Sequence, residues 1–115
     1  MKYKLIGKLA VPVKDDGSDE ALLEWARAFE NPNRIVDQTH VGEAFVSTVF
    51  LGLDHNFTGK GEPLLFETMI FLDGWEDEYC ERYATWDEAE RGHQDAIKLA
   101  EEAWKGVLAK REVLC

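Results

Sequence analysis

The chain has 115 residues, 23 of them acidic and 13 basic, for a formal net charge of −10. That length makes residues 1–115 a single domain, able to bury roughly two thirds of its unfolded surface without disulfides or a structural metal. A hydrophobic content of 45% with four Trp, three Tyr and six Phe excludes a disordered chain, and the negative charge argues against direct grip on a nucleic-acid backbone, where Lys and Arg must replace released counterions.

The amino terminus, MKYKLIGKLAVPVKDD, scatters lysines through a short apolar run. It lacks the charged head, apolar middle and small-residue cleavage site of a signal peptide, and no stretch approaches a membrane span. The expected location is therefore the cytoplasm, with no membrane partner. Cys80 and Cys115 fit unpaired thiols in a reducing compartment. KYKLIGKLAVPV reads as one strand that Pro12 restricts to an edge, and the first fourteen and last ten residues read as expendable.

From Ser18 the period changes to that of a helix. Ser18 can cap it, Asp19 and Glu20 complement the positive end of its dipole, and Leu22, Trp25, Ala26 and Phe29 share one face. Asn31-Pro32-Asn33 ends it. RIVDQTHV then begins a strand, Gly42-Glu43 is a turn, and AFVSTVFLGLD is a second strand with both sides fairly apolar. PLLFETMIFLD has the same character, while EYCERYATW alternates as an edge strand would. Short connections make these strands an antiparallel meander.

Thr85 and Glu88 form a capping box, which starts the last helix at Trp86 and carries it to about Ala109. Ala89, His93, Ala96, Ile97, Ala100, Ala103, Trp104 and Val107 recur at helical spacing and give one stripe to lay on the sheet. The predicted fold is α+β in two layers: an antiparallel sheet of three to five strands with the C-terminal helix and the N-terminal helix packed on it. The apolar second face of the central strands predicts a homodimer or higher oligomer.

Candidate functional residues fall in three places. Asp54, His55, Asn56 and Phe57 open a connection of about ten residues between two apolar strands, more than a hairpin needs. The same Asp and Asn also suit turn chemistry, since their side chains bond neighbouring backbone groups. Glu67, inside an apolar strand, could meet His93 or His55 and form a carboxylate and imidazole pair. Trp86 stands beside an acidic face, Glu76, Asp77, Glu78 and Glu81, in which carboxylates steer a partner and aromatics anchor it. Glu90 and His93 are half of a carboxylate-bridged metal motif, but the second half is missing. No metal or cofactor is expected, and the sequence holds no phosphate loop, nucleophile elbow or HExxH.

The strings VSTVFLGLDHNF, LLFETMIF and ERYATWDEAERGHQDAI, with the weaker EWARAFE and NRIV before them, resemble a family of small proteins of tailed phages and prophages. The resemblance covers roughly residues 24–97. It implies a phage origin and an accessory role in the host cytoplasm, and it carries over no catalytic or binding residue. Because the sequence holds no catalytic motif, binding is favoured over catalysis: an acidic accessory protein that binds and inhibits or sequesters a component of a host system, anti-defence roles such as anti-CRISPR or signal sponge included. Its partner would be a host protein or a small signalling molecule. The alternative is a small-ligand or nucleotide-binding protein, with hydrolysis as its chemistry.

Overall fold

The computed structural model describes residues 2–13, 17–30 and 32–114. In chain order these form strands β1 (Tyr3–Ile6) and β2 (Leu9–Pro12), helix α1 (Asp19–Glu30), a 3-10 turn (Pro32–Arg34), strands β3 (Ile35–Val41), β4 (Ala44–Phe50), β5 (Phe66–Phe71) and β6 (Tyr79–Tyr83), and helix α2 (Trp86–Leu114). The fold is the α+β arrangement expected. β3 to β6 make an antiparallel sheet in sequence order, with β4 and β5 central and β6 at an edge, and β1 and β2 make a second, two-stranded sheet. Among the described residues no helix is long and apolar enough to cross a membrane.

The alternation of β4 sets the layers. Ala44, Val46, Thr48 and Phe50 are buried, while Phe45, Ser47 and Val49 between them are half-buried. Cross-strand pairing puts Phe66, Thr68 and Ile70 of β5 on the buried side too, because directly opposed residues share a face. Against that side α2 lays Ala89, His93, Ala96, Ala100, Ala103 and Val107, all buried. The small alanines let the helix approach the sheet closely. Gly92 serves the same end, since any side chain there would overlap the Tyr83 ring.

The β3–β4 connection is a two-residue turn, Gly42-Glu43, closed by the Val41 and Ala44 pair. Gly42 has φ +60°, and among the described residues none other than glycine has positive φ, which makes it a type II′ turn, the kind whose twist suits a hairpin. The Trp104 indole lies against Gly42 where a side chain would have to go.

Three expectations are revised. The N-terminal run is not one strand: it turns at Gly7-Lys8 and pairs with itself from Tyr3 with Pro12 to Ile6 with Leu9. Nor is it expendable, because Tyr3, Leu5 and Ala10 pack on the cluster of Phe50, Leu65, Phe66 and Ala89, and Tyr3 N donates to Gly52 O at 2.8 Å. In α1, capped by Ser18 Oγ at 3.1 Å from Ala21 N, Leu22 and Ala26 are exposed while Ala21 and Trp25 are half-buried. The helix rests against β1. The Phe29 side chain and Asn31 lie outside the described residues. Finally, α2 continues past Ala109 to Leu114, 29 residues in all, or about 43 Å at 1.5 Å per residue. The strands beneath span only about 20 Å, so its last turns overhang the sheet. There Arg111 pairs with Glu43 at 2.6 Å.

Candidate functional site

The connection from Leu51 to Leu65 is built by its own polar side chains. Asp54 Oδ1 accepts from Asn56 N at 2.8 Å and from Leu64 N at 2.9 Å, ten residues on. Asn56 Nδ2 donates to the carbonyls of Lys60 and Glu62 at 2.7 and 2.9 Å. Its Oδ1 accepts from Thr58 Oγ1 at 2.6 Å. His55 Nδ1 lies 2.9 Å from Leu53 O, and His55 N donates to Leu64 O at 2.9 Å, drawing the two ends together. These bonds hold the Asp54 carboxyl below its ordinary range, the Asn56 amide contributing most and the Leu64 amide next. Asp54 and Asn56 thus do turn chemistry, and what the loop turns outward is Phe57, 83% exposed. The His55 ring stands 5.8 Å from the Phe57 ring.

His93 has no solvent exposure. Its Nδ1 is 2.7 Å from Thr48 Oγ1, Thr48 Oγ1 is 2.5 Å from Thr68 Oγ1, and Nε2 is 2.9 Å from Thr39 Oγ1 and 3.7 Å from Asp37 Oδ2. We assign the proton to Nε2, where the Asp37 carboxylate favours it, so that Nδ1 accepts from Thr48 and Thr48 accepts from Thr68. Burial pushes the imidazole below its ordinary pKa, partly offset by Asp37. His93 is therefore a neutral, hydrogen-bonded tie between α2 and strands β3 and β4.

The groupings drawn from sequence come apart in space. Glu67 lies on the opposite face of the sheet from His93, as the parity of Thr68 requires, and accepts from Arg82 Nε at 2.9 Å. Glu90 does not join His93: its carboxylate accepts from the Trp86 indole and stands 3.4 Å from Lys8 Nζ, contacts that hold it below the ordinary carboxylate range, the indole first. Among the described residues no three His, Cys, Asp or Glu side chains are placed to hold a metal ion. Glu76, Asp77, Glu78 and Glu81 are exposed as expected. Glu76–Glu78 lie on the β5–β6 connection, at the end of the sheet away from Phe57, so a strand length of about 20 Å separates these two candidate surfaces.

Trp86 is half-buried, its ring 6.1 Å from that of Phe66 and edge-on. It walls a cavity of about 340 Å³ between the N-terminal hairpin, the loop and the start of α2, with Tyr3, Lys8, Leu65 and Phe66 among the other lining residues. Sequence reasoning missed Tyr3 and Lys8, because their part in this cavity depends on the turn at Gly7. It also missed Thr39, Thr48 and Thr68, although an inward threonine in each central strand is itself a signal of a buried polar partner.

Comparison with protein-family models, with curated proteins and with solved structures gives no match.

Proposed function

We propose that the chain is a small phage accessory protein that binds a protein component of a host system and blocks or sequesters it, host defence systems included. The observation that carries the binding reading is Phe57. An aromatic ring 83% exposed on a loop already ordered by its own hydrogen bonds makes a good anchor, since little conformational entropy remains to be lost on docking. The polar residues that could have carried chemistry support the same reading by their engagements: His93 in the core, Glu67 with Arg82, Asp54 and Asn56 with the loop backbone. The phage assignment rests on the resemblance of residues 24–97.

The test compares the chain with Phe57→Ser, immobilised and exposed to bacterial host lysate. The expected result is one stoichiometric protein retained by the parent and lost from the variant, with melting unchanged. Equal retention by both would refute the role of Phe57. The second reading, small-ligand binding, is favoured by the 340 Å³ cavity beside Trp86, whose size suits a small organic molecule. A small molecule that co-purifies with the chain and is lost on Trp86→Ala would support it instead.

A further inference from the structure

The face of the four-stranded sheet turned away from α2 carries a second apolar surface. Phe45 and Phe71 are directly opposed on β4 and β5, their rings stacked at 6.2 Å, and His40 extends the row with its ring 4.7 Å from Phe45. Phe71 is 49% exposed and Met69 beside it 36%. On a chain with net charge −10, the strands contribute only two charged side chains to this face, Glu67 and Arg82, and these form a pair at 2.9 Å. The other positions are uncharged: Ile35 and Val49 are apolar and directly opposed, and Gln38 Nε2 donates to Ser47 Oγ across β3 and β4 at 3.2 Å.

We propose that this face is where a second copy of the chain docks, sheet to sheet. Charge selects that occupant. Two copies brought together through most other surfaces set like charges against each other, whereas here both sides are apolar and locally balanced, and each presents what the other needs. A basic partner would be drawn to Glu76, Asp77 and Glu78 at the end of the sheet instead. Four strands about 4.8 Å apart and about 20 Å long give a footprint of roughly 400 Å² per copy. That is about half the standard share of a stable interface, so association belongs in the micromolar range.

Sedimentation equilibrium across about 1–500 µM, a range set by that interface size, tests the proposal. The parent should pass reversibly from the chain mass of 13.1 kDa to twice that value, and more readily as salt rises, because the remaining repulsion is screened. Phe71→Asp should raise the dissociation constant at least 100-fold, taking about 2.7 kcal/mol as that ratio, with its circular dichroism unchanged, while Phe57→Asp should leave it as in the parent. As a second measurement, alkylation of Cys80, which is exposed on this face, should slow several-fold in a Cys115→Ser chain at the concentrations where dimer forms. A parent that stays at monomer mass throughout, a Phe71→Asp chain that associates like the parent, or Cys80 equally reactive at all concentrations would overturn it. The loop and this face are separate surfaces, so loss of Phe57-dependent binding leaves this proposal standing, and the reverse holds too.

Discussion

Thr48→Val probes the buried polar tie most directly. Thr48 Oγ1 lies 2.5 Å from Thr68 Oγ1 and 2.7 Å from His93 Nδ1, and all three residues have no solvent exposure. Valine keeps the shape but removes the shared oxygen, leaving two buried polar groups without it at about 1–3 kcal/mol each. The added methyl offsets about 0.8 kcal/mol. The net loss should be about 1–5 kcal/mol, a large part of the roughly 5–15 kcal/mol that holds a domain folded. Urea unfolding followed by circular dichroism measures it, and His93→Leu with the double variant completes a cycle. The two changes remove one shared hydrogen bond, so together they should cost about 1–2 kcal/mol less than the sum of the singles. A loss below about 0.5 kcal/mol for Thr48→Val, or strict additivity in the cycle, would refute the idea that these bonds stabilise the fold beyond their packing.

The buried histidine and the Gly42 turn each give a further expected outcome. Because burial lowers the His93 pKa from its ordinary 6.5, the unfolded chain takes up a proton that the folded one resists; stability should be complete above that pH and fall as pH drops below it. Asp54 and Glu90, lowered from 3.8 and 4.5, add a separate loss only in more acidic solution. Calorimetric melting should therefore decline from about pH 6.5 in the parent and stay level to about pH 5 in His93→Leu, and parallel curves would contradict the assignment. Gly42→Ala should cost about 1–2 kcal/mol for the left-handed backbone and about 1–3 kcal/mol more for displacing Trp104. Gly59→Ala, at φ +73° in open space, should show only the first part, and equal losses in urea at both positions would argue against the Trp104 contact.

How far the sequence discloses this molecule depends on how local each cause is. β4, β5 and α2 are legible because period and composition are properties of the segment itself. The turn at Gly7-Lys8 is not, since one glycine in a short apolar run reads equally as strand interior, and only packing of Tyr3 and Leu5 on Phe50 and Phe66 decides it. Asp54 bonding Asn56 is a two-residue matter and foreseeable, whereas Asp54 bonding Leu64 requires the loop to have closed.

The threonines mark an intermediate case that bears on function. Thr48 shares parity with Val46 and Phe50, and Thr68 with Phe66 and Ile70, so both hydroxyls had to point into the core and find a partner. On the stripe that α2 lays against them the one polar residue is His93, so its pairing with Thr48 and Thr68 follows from the pattern of strand and helix alone. Thr39, paired with Val46, and Asp37, paired with Thr48, follow the same parity counted back from the Gly42-Glu43 turn, and the register shift falls only beyond them, between Ile35 and Asp37. The consequence is that the histidine most suggestive of chemistry in the sequence is the one the strand pattern itself assigns to structure. Phe57, which looks no different in composition from Phe50 or Phe66, is left outside by the closure of the loop. Binding is therefore best sought where an apolar side chain is held out of the core by a rigid polar frame.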